Sequence, residues 1–320
     1  MGEHFLKWIN IVDFKCFHNF ESKDFQRINL ISGKNNVGKT AFMEACFINM
    51  RAMNIKNFVG ALWGVKYMRE NLNILANNTT NNAKIFMERS NGINLISNIN
   101  KSSFKIEEQD GIKLYNFEFN KQYIRVNTND FSYEIDIIDN IKFIDSFGLS
   151  NGEIIRYYST IQKKDEETFL NTILNEFDNS IEAFKVIDDL PQCKINETWL
   201  EITEFGDGVR HVISIVNALF QAQNGYLFID ELENGIHYTY LDRVWEVILK
   251  VSKEQNVQVF ATTHSKECIE SYARVAKKLE DQEIAYIRMS KLSDGQIKAT
   301  TFDYELIENS IEQDHEVRGW

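Results

Sequence analysis

The stretch RINLISGKNNVGKTAF, residues 27–42, constrains this chain more than any other. A short apolar run ends at Gly33, a loop containing a second glycine follows, and Lys39 and Thr40 open a new segment. There Phe42, Ala45, Cys46 and Phe47 recur with helical spacing. GKNNVGKT fits the pattern GxxxxGK[ST] in the strand–loop–helix context that phosphate binding requires. Glycines let backbone N–H groups turn inward around phosphate oxygens, and the positive end of the following helix faces the same point. Lys39 would reach the terminal phosphates, and the Thr40 hydroxyl would ligate Mg²⁺. The candidate nucleotide-binding residues are therefore Gly33, Lys34, Asn35, Asn36, Val37, Gly38, Lys39, Thr40 and Ala41. An accidental match of the fixed positions is expected in roughly one per cent of chains this long.

A second element supplies what a phosphate loop alone lacks. In YLFIDELENGIH, four apolar residues run into Asp230 and Glu231. An aspartate at the end of a buried strand can hold Mg²⁺ through water. A glutamate beside it is placed to orient and deprotonate the attacking water. Taken alone, such a pair is also an ordinary strand end. Asp230 follows Thr40 by 190 residues, so something sizeable is inserted between the two motifs. Next comes VQVFATTHS, a strand ending in Thr262, Thr263 and His264 ahead of a helix. Ser265 is a natural cap there, and a lone His264 would be an ordinary polar loop residue. Directly after the strand that follows the DE strand, it reads instead as a sensor of the terminal phosphate or attacking water. The catalytic candidates are Lys39, Glu231 and His264, and the metal candidates are Thr40 and Asp230.

A third element, EFGDGVRH at residues 204–211, opens the apolar segment VISIVNALF. It is either a turn that starts a helix or an anion site made of glycine N–H groups at a helix start. Gly206, Asp207, Gly208 and Arg210 are its candidate ligands.

Around these motifs the chain reads as α/β. FLKWINIVDF alternates like a strand. From about 56 to 140 the sequence is rich in Asn, Lys and Ile, with strand-like pieces AKIFMERS, GINLISNI, SFKIEE, IKLYNFEF, YIRVNT and FSYEIDII, and polar turns such as NNTTNN. This predicts an antiparallel β section. From about 150 to 187 the signal is helical, with Leu170, Ile173, Leu174 and Phe177 on one face. GYLFID and VQVFAT, each followed by a helical segment, imply parallel strands with crossover helices. EIAYIRMS and QIKATTF, joined by LSDG, predict a closing hairpin. The single Pro191 marks no linker.

Composition sets outer limits. The 320 residues are 43% hydrophobic and 26% charged, as in soluble globular proteins. A net charge of −12 argues against whole-surface attraction to nucleic acid or anionic lipid, while leaving a local basic groove open. Cys16, Cys46, Cys193 and Cys268 form no metal pattern. Cys16 and Cys46, each beside a phenylalanine, are expected to be buried thiols of a reducing compartment. No signal peptide or membrane-spanning run is evident, so a cytoplasmic location without a membrane partner is expected.

In order along the chain, GKNNVGKT, a long insertion, EFGDGVRH, FIDELENGIH and ATTHS resemble the ABC-type ATPase heads of the SMC, Rad-fifty and RecF group. The match is closest to the OLD-like ATPases and related AAA-labelled proteins of bacterial anti-phage systems. The opening INIVDFKCFHNFESKDFQRINLISGKNNVGKTAFMEA and the closing YIRMSKLSDGQIKATTFDYELIENS also look like that group.

The resemblance implies a P-loop NTPase with ABC/SMC-head architecture: an antiparallel β section, a mixed central sheet and an inserted helical lobe. Residues 1–320 would form one ATPase domain. Lobe I would span 1–146 and 226–320, with the β insertion at 56–140, and lobe II 147–225, ending in the loop 204–211. By the same resemblance, Lys39 and Thr40 bind phosphate and Mg²⁺, Asp230 holds the metal's water, Glu231 is the general base and His264 the switch histidine. Glu233, Asn234 and Gly235 take the loop after the base. FGDGVR falls at the signature position that reaches the ATP of a partner subunit. It lacks the usual serine, so contact would rest on backbone N–H groups or Arg210. The expected place of a coupling glutamine offers Ser146 instead.

The resulting expectation is an ATPase that forms a homodimer or higher oligomer through ATP and regulates a separate effector, a Toprim nuclease or toxin, in anti-phage defence. No Toprim segment is expected after the closing hairpin. A RecF-like head binding DNA directly is the alternative, disfavoured by the net charge. A non-catalytic module is disfavoured by Glu231.

Overall fold

The computed structural model describes residues 4–70, 92–109, 111–127 and 140–307. Strands β1 (Trp8–Phe14) and β2 (Phe17–Lys23) form a hairpin, and β3 (Ile28–Gly33) leads into α1 (Lys39–Arg51) and α2 (Ile55–Glu70). A meander follows: β4 (Gly92–Ser97), β5 (Lys101–Gln109), β6 (Ile112–Phe119) and β7 (Gln122–Asn127). After β8 (Ile141–Ile144) come α3 (Asn151–Lys163) and α4 (Glu167–Phe177). Next are β9 (Ala183–Ile187), β10 (Leu190–Ile195), β11 (Thr198–Glu201) and α5 (Asp207–Gln221). The last third alternates β12 (Tyr226–Ile229), α6 (Leu241–Glu254), β13 (Gln258–Thr262) and α7 (Lys266–Lys278), then closes with β14 (Ile284–Lys291) and β15 (Ile297–Phe302).

Among the described residues the strands form three sheets. The central one has the order β15-β14-β3-β13-β12-β8, parallel except for the antiparallel edge strand β15. The second is wholly antiparallel, β2-β1-β4-β5-β6-β7, and the third is the small meander β11-β10-β9. This is the mixed α/β fold, with an antiparallel β section, that the motif order predicts.

Alternation along the central strands explains how the layers stack. Leu30, Leu227, Ile229, Val259 and Ala261 join one core with the helices α3 to α7. Ile31, Phe228 and Phe260 join the other, with α1, α2 and the antiparallel sheet. Successive side chains leave opposite faces of a strand, so a strand covered on both faces must be apolar throughout. All four residues of β12 are buried accordingly. The Phe228 ring lies 5.4 Å from that of Phe260 and 5.9 Å from that of Phe47.

Three expectations are corrected. The stretch beginning at residue 56 is helical through Glu70: Phe58, Leu62 and Val65 are buried at helical spacing, but Val59 and Ala61 between them are buried too, so no polar alternation marks the period. The segment between α4 and α5 contains the meander β9–β11, whose hairpins turn on Asp188–Asp189 and Asn196–Glu197. All four of these turn residues have positive φ, between 47° and 63°, without any glycine to announce them. Cys16 is exposed, because it occupies the two-residue turn between β1 and β2, whereas Cys46, Cys193 and Cys268 are buried. AKIFMERS, NNTTNN and FSYEIDII lie outside the described residues. No helix among the described residues is long and apolar enough to cross a membrane.

Phe228→Ala removes a ring from the middle of the second core and should lower unfolding free energy by about 3–5 kcal/mol in urea titrations. A loss below about 1 kcal/mol would contradict this account of the layering.

Candidate nucleotide site

Parallel register brings the functional segments together. Ile31 of β3 pairs with Thr262 of β13, and Ala261 pairs with Ile229 of β12, so the three strands end side by side. The loop 33–38, the pair Asp230–Glu231 and the segment Thr263–His264 therefore leave the same sheet edge. This is where open α/β sheets place ligands.

The phosphate loop closes tightly against the β1–β2 turn. Gly38 has φ +91°, and a Cβ there would stand 2.6 Å from Cys16 Sγ. Asn36, at φ +63°, is a residue type that tolerates the left-handed region. Lys39 is 6% exposed and folds back on the loop, donating to the carbonyls of Gly33 (2.9 Å) and Lys34 (3.2 Å). Burial pulls its pKa down to about 8, against the opposing influence of Asp230, Glu231 and Glu233.

Asp230 is the hub of the opposite wall. Its Oδ1 accepts from Thr40 Oγ1 at 3.2 Å and from Thr262 Oγ1 at 2.6 Å. The Thr262 hydroxyl in turn accepts the N–H of Glu231 at 2.8 Å. Glu231 sits at φ +51°, a strained conformation for a residue with a side chain, and that bond helps to hold it. His264 spans the cleft: Nδ1 is 3.3 Å from Lys39 Nζ, and Nε2 is 3.7 Å from Glu231 Oε1. Ser265 also caps α7, accepting the N–H of Cys268 at 3.1 Å, so the cap and the approach of His264 to the cleft coexist.

The cleft, about 530 Å³, is lined by Asn35, Asn36, Gly38, Lys39, Thr40, Ala41, Glu231 and His264, together with Lys15 and Cys16. Val37 is buried in the core beneath the loop, and Lys34 contributes its carbonyl to Lys39. Oxygen donors dominate the Thr40–Asp230 corner, and the described residues contain no cluster of three or more His, Cys, Asp or Glu fit to hold a metal. That corner fits Mg²⁺, which keeps much of its water and binds through one or two protein oxygens plus phosphate.

The loop 206–210 does not line this cleft. Gly206 and Asp207 are exposed, while Gly208 is buried against Gly235, close enough that a Cβ would overlap the Gly235 carbonyl oxygen. Arg210 donates to the Leu149 carbonyl at 2.9 Å and to Asn151 Oδ1 at 2.8 Å, so its guanidinium is engaged within its own lobe. Ser146, where a coupling glutamine is expected, accepts the Asn234 side-chain amide through its carbonyl. Sequence reasoning overlooked Lys15 and Cys16, which reach the cleft only through the hairpin turn. It also gave Thr262 no role, although the residue opposite Asp230 on the neighbouring strand was its natural partner.

Two outcomes are expected. Thr262→Val keeps the volume but unhooks Asp230 and Glu231, so kcat should fall about ten- to hundredfold with ATP affinity changed less than about threefold. Lys39 is charged below pH 8 and loses its proton above it, so ATP affinity should fall about three- to tenfold between pH 7.5 and 9. Titrations of Lys39→Met should lack that slope.

Comparison with known proteins agrees with this geometry. The AAA ATPase domain model matches residues 150–269, a span that includes EFGDGVRH, Asp230–Glu231 and His264. An ATP/GTP phosphatase of Helicobacter pylori is 23% identical across 97% of this chain and 99% of its own length. An uncharacterized protein of Methanocaldococcus jannaschii is 37% identical over 73 residues, 23% of this chain and 64% of that protein. Among solved structures, an SMC head bound to the C-terminal winged-helix domain of ScpA superposes with TM-score 0.54 and 11% identity, over 94% of this chain and 99% of that one. An SMC head with an extended coiled coil, bound to the C-terminal domain of ScpA and derived from Pyrococcus furiosus, gives 0.54 at 12% identity, over 97% and 99%. With the fold of an SMC head and an AAA ATPase domain match over residues 150–269, this chain is an ATP-hydrolysing enzyme.

Proposed function

We propose that the chain hydrolyses ATP in composite sites formed between two copies of itself, and that the ATP-bound assembly controls a separate effector polypeptide. One observation carries the composite site. Lys39, Thr40, Asp230, Glu231 and His264 converge on one open cleft, while Gly206 and Asp207 stand exposed outside it. A helix N-terminus with exposed glycine backbone is an anion site awaiting a ligand. Its own cleft lies elsewhere, so the ATP of a second copy is the fitting ligand. The engagement of Arg210 with Leu149 and Asn151 leaves the exposed backbone of 206–207 as the contacting element.

Within the cleft, Lys39 would exchange the carbonyls of Gly33 and Lys34 for phosphate oxygens. Mg²⁺, held by Thr40 and through water by Asp230, would supply charge neutralisation at the phosphates. Glu231 would take the proton of the attacking water, with His264 contacting the terminal phosphate. Binding energy that differs between open and closed assemblies is what lets ATP shift the population, and hydrolysis resets it.

The SMC heads that share this fold carry ScpA domains, which supports the general idea of a protein partner. The proposed effector is a Toprim nuclease or toxin of anti-phage defence, a reading that rests on the resemblance of the motifs to OLD-like ATPases.

The test is Glu231→Gln. Its turnover should fall at least about a hundredfold while ATP still binds, and light scattering should report an ATP-dependent rise to a dimer or larger. Wild-type turnover would overturn the base assignment, and a monomer at saturating ATP would overturn the composite site. The effector is sought by ATP-dependent co-purification with this variant. Duplex DNA binding that vanishes with added salt would instead favour a head that acts on DNA directly.

A further inference from the structure

Glu233 lies three residues beyond Asp230 and does not line the cleft. Its Oε1 accepts two backbone N–H groups from the next loop, those of His264 at 2.7 Å and Ser265 at 3.1 Å. These donors stand at the start of α7, whose N-cap is Ser265. A carboxylate there makes charge-assisted bonds to groups the helix cannot satisfy itself, and meets the positive end of the helix. Glu233 Oε2 is buried and accepts no hydrogen bond among the described residues. Pulling the His264 loop away would therefore leave a half-buried carboxylate without its two donors, which is costly. This side chain adds a tie between the exits of β12 and β13 beyond the bonds of Thr262 to Asp230 and Glu231.

We infer that Glu233 is a positioning residue for hydrolysis: it fixes the backbone of His264 to the turn 231–236 and so sets where the imidazole stands relative to Glu231 and the terminal phosphate. This rests on the reading of His264 as the phosphate sensor. The turn itself is held internally, with Asn234 N–H donating to the Glu231 carbonyl at 2.8 Å and Ile236 N–H to the Glu233 carbonyl at 3.0 Å. It also touches both neighbouring loops, since Gly235 meets Gly208 at the head of α5 and Asn234 donates to the Ser146 carbonyl. Any displacement of the 206–208 backbone by a partner's nucleotide thus reaches His264 through Gly235 and Glu233. The clamp makes the sensor responsive to whether that loop is engaged.

The test is a double-mutant cycle in the full chain with Glu233→Ala, His264→Ala and the pair. Glu233→Ala should lower kcat about ten- to hundredfold with the ATP dissociation constant within about twofold of wild type, because Lys39 and Thr40 do not touch it. The double variant should turn over no more slowly than His264→Ala, since one residue acts through the other. Glu233→Gln keeps an acceptor without the charge and should lose about three- to tenfold, and it carries the cycle if Glu233→Ala fails to fold. In nucleotide-free protein the NMR resonances of the His264 ring should shift in either Glu233 variant, a readout independent of turnover. Multiplying effects in the double variant, an unchanged kcat in Glu233→Gln, or an unmoved His264 ring would overturn the inference. An unaffected His264→Ala would overturn the sensor reading instead. Failure of the composite site is read separately in Glu231→Gln, because the cycle uses neither that residue nor the oligomer.

Discussion

The contacts at Asp230 hold the rest of the site in place. One carboxylate oxygen takes a hydrogen bond from Thr40 at the head of α1 and another from Thr262 at the end of β13. Phosphate loop, acidic strand and sensor strand are thereby joined at a single atom. Thr262 extends the junction to the backbone of Glu231 and holds that residue at a positive φ. The junction depends on register, because sliding β12 by one residue against β13 would turn Asp230 toward the opposite face. Register in turn is set by the two cores, with Phe228 and Phe260 committed to one face and Leu227, Ile229 and Val259 to the other.

The surroundings of Lys39 follow from the same closeness. A lysine buried among loop carbonyls is costly when charged, and burial lowers its pKa despite three nearby carboxylates. Its ammonium donates to the carbonyls of Gly33 and Lys34, contacts that phosphate oxygens can replace. The turn 231–236 works differently. Beyond Glu231 none of its residues lines the cleft, yet it meets the head of α5 through Gly235, the β8 loop through Asn234, and the His264 loop through Glu233. The residues that line the cleft and the exposed loop 206–207 are therefore separated by a short, internally bonded segment.

Motifs were legible where chemistry is local. GKNNVGKT carries its own strand, glycines and helix start, and FIDE carries its own buried strand, so each announces itself without knowledge of the rest of the chain. Elements whose signal is displaced or unusual were not. The meander β9–β11 turns on Asp188–Asp189 and Asn196–Glu197, where positive φ is borne by acidic and amide residues instead of the expected glycine. Helix α2 was hidden because the residues between Phe58, Leu62 and Val65 are apolar or glycine, with Val59 and Ala61 buried too, so no polar alternation marks a helical face. Cys16 read as buried beside Phe17, but a two-residue turn puts the phenylalanine in the core and the thiol at the cleft rim.

The sequence by itself determined that this chain is a nucleotide-hydrolysing α/β protein with parallel central strands, and it marked the phosphate loop and the strand-end Asp230 and Glu231 as the candidate site residues. Each of these follows from residues close together in the chain, whose spacing fixes their geometry. Only the tertiary structure decided that Thr262 joins Asp230 to Glu231, that Glu233 clamps the His264 loop, and that Arg210 is spent inside its own lobe. It also decided that Lys15 and Cys16 stand at the mouth of the cleft. Those contacts join residues from about 30 to more than 60 positions apart, or bring separate turns to one rim. No local pattern encodes such distances; they emerge when strand register and two-sided burial bring the sheet's edge together.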